Sequence, residues 1–299
     1  MMYHKSVLLL ETIQALAIRP GGIYVDATFG GGGHSQEILK YLADGKLVAF
    51  DQDEEAIKNK PDDPRLIMVN NNFRYLRNLL KFHNLFPVDG ILADLGISSH
   101  QIDEPERGFS TRHDGALDMR MDRRKSKSAR EIVNTYPEEE LTILFREYGE
   151  LRHASRLAAG IVKARKEKPI ETTLELRSVA GKCAEWGKEN KFFAQLFQAL
   201  RIEVNQELVS LREFLKQASA SLKPGGRLVV ISYHSLEDKL VKNYFRSGNF
   251  EGEISKDFYG NVINPLKVIT RKAIIPGEAE IMENNRSRSA RLRVAEKEG

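Results

Sequence analysis

Short hydrophobic runs and helical stripes alternate along much of the chain. Runs rich in Val, Ile, Leu and Phe predict strands at 23–28, 46–51, 65–69, 88–94 and 226–233. The segments between the first four runs have apolar positions at helical spacing. Strands that alternate with helices are typical of a doubly wound parallel sheet, an α/β fold. Two further strand candidates, 266–275 and 291–295, are expected to complete this sheet at one edge.

The connection between the fourth and fifth strands is much longer than one crossover helix requires. Pro137, followed by three acids, is suited to a first helical turn, and a second apolar stripe runs over 151–162. The pattern predicts an all-helical domain over 104–204, inserted into a discontinuous sheet domain that comprises 1–103 and 205–299.

A third helix of the insertion begins at a capping box, Thr172-x-x-Glu175. Its apolar stripe is expected to carry Val179, Cys183 and Trp186. Such a stripe indicates a buried helix face rather than a cofactor site.

Four consecutive glycines, 30–33, follow the first predicted strand, and the second strand ends in Asp51, 25 residues after Asp26. Glycine between a strand and a helix lets a ligand contact the backbone, because no Cβ stands in the way. An acid at the end of the second strand is where such folds hold a ribose. The spacing predicts an adenosine-cofactor site.

The residues around the glycines narrow the choice of cofactor. No Lys follows them, which excludes a phosphate-binding P-loop, and the third position of a dinucleotide fingerprint is Ser35. The Asp26 carboxylate would repel a pyrophosphate and suit a cationic ligand, and S-adenosylmethionine carries a sulfonium and an ammonium group. A glycine-rich surface turn beside a solvated Asp26 is the alternative, which Asp51 at the next strand end disfavours.

Composition is that of a globular protein, with 41% apolar and 29% charged residues in 299. No apolar run approaches the roughly 20 residues of a membrane span, and the first residues lack a signal-peptide core. A single cysteine, Cys183, excludes an internal disulfide and a thiolate metal cage. We therefore expect a cytoplasmic enzyme with no membrane partner and no metal.

The fourth strand ends in Asp94, at the sheet edge where chemistry is normally placed. Amine methyltransferases usually have Asn or Asp followed by Pro-Pro-aromatic at this point, whereas this chain has Asp94-Leu-Gly-x-Ser-Ser-x-Gln101. With this motif the chain closely resembles the bacterial 16S rRNA (cytosine-N(4)) methyltransferases. The motifs that carry the resemblance occupy positions 4–9, 26–35, 94–101, 107–109, 117–121, 197–202, 235–238 and 286–293.

The resemblance implies a class I S-adenosylmethionine-dependent methyltransferase with an inserted helical substrate-recognition domain. It implies methylation of the exocyclic N(4) amino group of a decoding-site (P-site) cytidine in 16S rRNA, within the small ribosomal subunit. Matched position by position, it implies cofactor contacts from Gly32, Gly33, His34, Asp51, Phe73, Asp94 and Gln101.

Physical roles follow for most of these cofactor residues. Gly32 and Gly33 expose backbone N–H groups to the methionine carboxylate, and Asp51 accepts from the ribose hydroxyls. Phe73 stacks on or flanks the adenine. Asp94 lies near the positive groups of the ligand. His34 and Gln101 have no role that the residue type alone assigns.

Transfer is expected to be a direct in-line displacement on the sulfonium. The amino nitrogen of cytosine is a poor nucleophile, so an acceptor for its proton is required. Asp94, Ser232 and His234 lie near strand ends and are all candidates, while the segment 232–235 could equally be a rigid loop that shapes the pocket.

Net charge is only +4, but 112–130 holds seven basic residues against three acids. We expect Arg120, Arg123, Arg124 and Lys125 to bind RNA phosphates next to a cytidine taken out of the base stack. The alternative is a solvated loop.

Two other functions are alternatives. One is an RNA-binding assembly factor that retains the fold without turnover, which an intact glycine loop, Asp51 and Asp94 disfavour. The other is methylation at the cytosine ring carbon, which generally needs a cysteine nucleophile. Cys183, on an apolar helix stripe, is better explained as a buried small hydrophobe.

Overall fold

The computed structural model describes residues 6–260 and 262–299, so His4 of the 4–9 motif lies outside the described residues. The chain divides into two compact units. The first, here the sheet unit, contains the described residues up to Gly96 and those from Leu208 onward. The second, the helical unit, is Ile97–Glu207, whereas the sequence suggested an insertion over 104–204.

Within the described residues of the sheet unit, seven strands form one sheet in the order β3-β2-β1-β4-β5-β7-β6. Neighbours from β3 to β5 are parallel, while β7 pairs antiparallel with both β5 and β6. The strands are β1 Ile23–Asp26, β2 Lys46–Asp51, β3 Leu66–Asn70, β4 Val88–Asp94, β5 Leu222–Ser232, β6 Leu266–Val268 and β7 Arg291–Lys297. The predicted doubly wound sheet is confirmed.

Helices cover both faces of this sheet. They are α1 Leu9–Leu16, α2 Gly33–Tyr41, α3 Glu54–Ile57, α4 Leu76–Phe82, α11 Glu207–Ser221, α12 Ser235–Ser247 and α13 Glu278–Glu283. Successive strand residues point to opposite faces. Val25 and Val230 therefore pack with α4, α11 and α12, whereas Tyr24 and Val229 pack with α1 and α2. A strand buried on both faces explains the near-continuous apolar runs in the sequence.

The helical unit has a hydrophobic core of its own, which includes Phe145, Leu157, Leu176 and Leu200. Its α-helices are α5 Ser99–Asp103, α6 Ala129–Thr135, α7 Glu138–Glu147, α8 Ala154–Glu167, α9 Thr173–Ala180 and α10 Glu189–Asn205. Among the described residues, no helix is both long and apolar enough to cross a membrane.

The prediction for the third inserted helix is wrong beyond Ala180. Thr172 does cap α9 through the expected box with Glu175, but the α-helix ends at Ala180 and Cys183 lies in a 3-10 turn. Cys183 is half-buried against the helical core, while Trp186 is 97% exposed. Helical spacing continued in the sequence past the point where the chain turns.

The strand candidate 266–275 is also shorter than predicted. After β6 the N–H groups of Ile269 and Thr270 both donate to the Val294 carbonyl, and the Thr270 hydroxyl accepts from the Val294 N–H. These bonds turn the chain out of register with β7. Only Ile274 rejoins, through an isolated bridge to Leu292.

Candidate functional site

Three aspartates end three adjacent parallel strands of the sheet unit. Asp26 ends β1, Asp51 ends β2 and Asp94 ends β4. Because parallel strands end at the same edge, the loops after them share this carboxyl edge. Strand β1 lies between β2 and β4, so the glycine loop that follows it is flanked by Asp51 and Asp94.

Asp26 stabilises the glycine loop through hydrogen bonds to residues on both sides of the glycines. Its side chain is buried, accepts a 2.7 Å hydrogen bond from the Ser35 hydroxyl and accepts a second from the Thr28 N–H. Burial raises the pKa of this carboxyl, while the charge of His34 and the bond from Ser35 oppose that rise. Both oxygens of Asp26 are therefore bonded within the loop.

Backbone angle and space both favour glycine at position 32, and space favours it at position 33. Gly32 has a φ of +79°, and a Cβ there would overlap the Phe29 ring. A Cβ at Gly33 would clash with the Ser6 side chain. Gly33 begins α2, so this loop delivers bare backbone to the first turn of a helix, where N–H groups lack partners within the helix.

Asp51 is held by backbone N–H groups on both oxygens. Its Oδ2 accepts from Gly30 and its Oδ1 from Asp53, each at 2.8 Å. Burial raises its pKa to about 6, and the two N–H bonds act against this rise. Each carboxylate oxygen has a further lone pair, so a fixed carboxylate here can accept from a pair of vicinal hydroxyls.

Phe73 opens a 3-10 turn just after β3, and its ring meets Phe214 edge to face at 5.1 Å. The preceding Asn72 donates from Nδ2 to Gln52 at 2.8 Å. That bond joins the loop after β3 to the loop after β2. The half-buried ring of Phe73 is thereby fixed near the carboxyl edge of the sheet, where Asp51 lies.

Several hydrogen bonds fix Asp94 at the end of β4. Its N–H donates to the Thr28 hydroxyl at 2.7 Å, and its Oδ1 accepts from Gly96. The Tyr233 hydroxyl also donates to it, and the Tyr233 ring lies over Gly96. Burial raises the pKa of Asp94 despite these bonds, yet 19% of its side chain stays exposed.

His34 lies behind Asp94. Its Nε2 is 3.0 Å from the Val7 carbonyl, which can only accept, so this nitrogen carries the proton of that contact. Its Nδ1 lies 3.9 Å from Asp94 Oδ2, too far for a hydrogen bond. The buried ring is thus a neighbour of Asp94 and is fixed by its bond to Val7.

Ser232 and His234 are engaged in structural bonds. The Ser232 hydroxyl, buried in β5, donates to the Arg291 carbonyl across the sheet. His234 is the N-cap of α12, where its Nδ1 accepts from the Glu237 N–H. Of the three proposed proton acceptors, Asp94 is thus the one with a partly exposed carboxylate at the strand edge.

Sequence reasoning missed two residues of this edge, Tyr233 and Ser35. Both act through a hydroxyl group: Tyr233 contacts Asp94, which is distant in sequence, and Ser35 contacts Asp26, nine residues before it. The only available signal was a hydroxyl-bearing residue inside each of the segments 232–235 and 26–35.

Gln101 belongs to the helical unit, where it is buried in the first turn of α5. Its side-chain oxygen accepts from the Ser98 N–H, and its own N–H donates to the Ser98 hydroxyl. This reciprocal capping box gives Gln101 a structural reason to be present.

The basic loop, Arg120 to Lys125, is also in the helical unit. Arg120 forms a two-pronged pair with Asp118, at 2.7 and 3.0 Å, and donates to the Lys125 carbonyl. Arg124 forms a similar pair with Asp122. Arg123 is exposed. The paired guanidinium groups stabilise the loop, so much of its formal charge is neutralised locally.

Comparison with known proteins identifies the family. The model of the MraW methylase family matches residues 1–298. "Ribosomal RNA small subunit methyltransferase H" of Christiangramia forsetii is 56% identical over 298 residues, 99% of this chain and 98% of that protein. The proteins of the same name from Flavobacterium johnsoniae and Cytophaga hutchinsonii are each 55% identical, over 99% of this chain and 98% and 100% of theirs.

These matches confirm the resemblance drawn from the motifs, and with it the class I methyltransferase fold and S-adenosylmethionine as the cofactor. The seven-stranded sheet of the described residues, with its antiparallel β7, fits that fold class. The chain belongs to the MraW methylase family.

Proposed function

We propose that this protein methylates the exocyclic N(4) amino group of a decoding-site cytidine in 16S rRNA of the small ribosomal subunit. Relatives that match over almost the whole chain are named as small-subunit ribosomal RNA methyltransferases, which supports the substrate class. The observation that carries the proposal is the arrangement of Asp51 and Asp94 on either side of the glycine loop. The order β2-β1-β4 makes this the point where the sheet topology reverses, which favours ligand binding.

This arrangement supports the cofactor contacts that the resemblance implies. Asp51 would accept from both ribose hydroxyls, and the N–H group of Gly33 would bind the methionine carboxylate at the start of α2. Gly32, predicted to do the same, already donates its N–H to the Phe29 carbonyl at 2.8 Å and would serve by its missing side chain. Phe73 would flank the adenine. Asp94 would face the positive groups of the ligand, and His34, 3.9 Å from Asp94, is retained as a cofactor contact on the resemblance. Gln101 is retained as a cofactor contact on the resemblance alone.

S-adenosylmethionine, when bound, supplies an electrophilic methyl group on a sulfonium. Asp94 is assigned two roles towards the substrate. Its carboxylate would accept a hydrogen bond from the cytosine amino group, which localises the nitrogen lone pair, and would take up the proton released as the new C–N bond forms. A pKa raised by burial suits a proton acceptor, because it increases the basicity of the carboxylate. Tyr233 and Gly96 keep the carboxylate oriented.

Because the amino group of a stacked base is out of reach, the cytidine would be flipped out or taken from a single-stranded region. We propose that the helical unit takes part in RNA recognition. Arg120, Arg123, Arg124 and Lys125 are its phosphate-binding candidates, with Arg123 the main contributor since Arg120 and Arg124 pair with aspartates.

Ring-carbon methylation is disfavoured by the place of Cys183. The thiol lies in the helical unit, half-buried against that unit's own core, in surroundings suited to a small apolar side chain. A nucleophile for C6 of cytosine would need to reach the base directly.

Transfer of labelled methyl groups to small ribosomal subunits tests the proposal. Wild-type protein should label the 16S RNA, and Asp51→Ala should abolish labelling by weakening cofactor binding while leaving the thermal transition cooperative. Label that fails to enter small-subunit RNA from wild-type protein would overturn the proposal.

A further inference from the structure

A cleft of about 630 Å³ opens in the sheet unit where α12 begins. One wall is formed by the segment that follows β5 and the first turns of α12. The other is formed by the chain that leads into β7. The residues that line it include Tyr233, Lys239, Lys242, Ile275, Arg288 and Arg291.

The charge in this cleft is strongly positive. Lys239, Lys242, Arg288 and Arg291 are all exposed in it, against a single lining acid, Asp238. Among the described residues, Lys239, Lys242 and Arg288 form no ion pair. This differs from the basic loop of the helical unit, where Arg120 and Arg124 are already paired.

Asp238 does not neutralise the exposed cations of the cleft, because its charge is already paired with a buried arginine. Asp238 accepts two hydrogen bonds, at 2.7 and 3.0 Å, from the guanidinium of Arg293, which is itself nine-tenths buried. Arg291 approaches the same carboxylate at 3.5 Å with more than half of its side chain exposed. The buried pair balances its own charges, and the exposed cations remain in excess.

The backbone around the cleft presents these cations rigidly. Ser287 is buried and its hydroxyl donates to the Asn284 carbonyl, and Ala290 is buried as well. The 3-10 turn Asn285–Ser289, which contains Ser287 and ends next to Ala290, leaves Arg288 exposed. The motifs 235–238 and 286–293 are joined by the Asp238–Arg293 pair, which accounts for two sequence motifs that the cofactor site does not use.

The cleft adjoins the methyl-transfer edge at Tyr233. Tyr233 and His234 line it, and the Tyr233 hydroxyl donates to Asp94. A nucleotide whose base reaches Asp94 would therefore have its neighbouring phosphates within this cleft. We propose that Lys239, Lys242, Arg288 and Arg291 bind the RNA phosphates that flank the target nucleotide. This inference rests on the proposed function and adds a binding site for its substrate.

RNA binding across a salt series tests this site. The variant Lys239→Gln/Lys242→Gln/Arg288→Gln removes three exposed cations. Its control, Lys40→Gln/Lys81→Gln/Lys216→Gln, removes three exposed cations from α2, α4 and α11, of which Lys40 and Lys216 pair with Glu37 and Glu213. Both variants change net charge equally, so a difference between them reports the place and the ion pairing of the cations rather than total charge.

For the cleft variant, the slope of log affinity against log salt should flatten by about 2, since each single-strand phosphate contact contributes about 0.7. The ratio of wild-type to variant affinity should accordingly shrink about 20-fold between about 50 and about 200 mM salt. The control should keep the wild-type slope within about 0.5. Affinity for S-adenosylhomocysteine, measured by calorimetry, should be the same in all three proteins.

Equal slopes and affinities for the cleft variant and its control would overturn the site. Inorganic phosphate is titrated in parallel. If the heat of phosphate binding seen with wild-type protein is lost in the cleft variant while RNA binding is unchanged, the cleft binds free phosphate. That result would overturn its role with RNA. Absence of methyl transfer to RNA by wild-type protein would refute the proposed function itself, whereas normal transfer with unchanged slopes would refute the cleft alone.

Discussion

The hydroxyl of Ser35 lies 2.7 Å from Oδ2 of Asp26, and both side chains are buried. This bond joins the end of β1 to the first turn of α2 and closes the glycine loop from beneath. The loop's conformation is therefore set by an acid whose two oxygens are bonded within the protein. Asp51 and Asp94, on either side of the loop, are the acids proposed to contact the ligand.

Removal of this bond should weaken both the fold and the cofactor site. Ser35→Ala leaves a buried carboxylate short of one donor, which should lower the free energy of unfolding by about 1–3 kcal/mol in urea titrations. Affinity for S-adenosylhomocysteine should fall as well. Ser219→Ala, which removes a buried hydroxyl contact to Tyr244 elsewhere in the sheet unit, should leave cofactor affinity unchanged. Equal cofactor affinities for the two variants would contradict this role of Ser35.

Cofactor affinity should depend on pH through Asp51. Its pKa, raised by burial to about 6, means that the acceptor for the ribose hydroxyls is protonated below that pH. The dissociation constant for S-adenosylhomocysteine should then rise about tenfold per pH unit below about 6. Asp51→Asn should bind weakly and lose this dependence. A wild-type dissociation constant that is flat between pH 7 and the ordinary carboxyl range, near about 4, would show that Asp51 is not the ribose partner.

In the pH dependence of kcat, Tyr233→Phe should move the fall at low pH, the acid limb, to higher pH. The hydroxyl donates to the ionised form of Asp94 and so lowers a pKa that burial has raised. Without that donor the carboxylate protonates more readily, and kcat should fall while KM for the cofactor changes little. Tyr244→Phe, whose hydroxyl bonds Ser219, is the control and should keep the wild-type profile. An unmoved acid limb in Tyr233→Phe would separate Asp94 from proton transfer.

Cys183→Ser should retain methyl transfer. The thiol is half-buried against the core of the helical unit, so the substitution should cost some stability but no catalytic group. Steady-state rates below the unfolding transition are the measurement. A folded variant without turnover, together with product trapped on the wild-type thiol, would support ring-carbon chemistry instead.

Neutralising Arg123, Arg124 and Lys125 together should lower RNA affinity and flatten its salt dependence, because fewer counterions are released on binding. The effect per charge should be smaller than for the cleft variant, since Arg124 already pairs with Asp122. Cofactor affinity should not change. Filter binding of RNA across a salt series is the measurement. Identical slopes of log affinity against log salt for wild type and variant would show that this segment is a solvated loop.

Sequence alone predicted the sheet because buried parallel strands have near-continuous apolar runs, as 46–51 and 88–94 do. It also placed Asp51 and Asp94 at one edge, since strand direction fixes where strands end. It did not predict contacts between side chains of different elements. These are the bond from Ser35 to Asp26, the bond from Tyr233 to Asp94 and the pair of Asp238 with Arg293. Helical spacing also could not reveal that α9 stops at Ala180 and leaves Trp186 in solvent.

The identity of the methylated nucleoside tests the central claim most directly. Small ribosomal subunits are incubated with wild-type protein and isotope-labelled S-adenosylmethionine, and the 16S RNA is digested to nucleosides for mass spectrometry. The account predicts that the label appears in N(4)-methylcytidine and that Asp94→Asn, which keeps the shape but removes the proton acceptor, abolishes it. Label in 5-methylcytidine, or undiminished N(4)-methylcytidine from Asp94→Asn, would contradict the account.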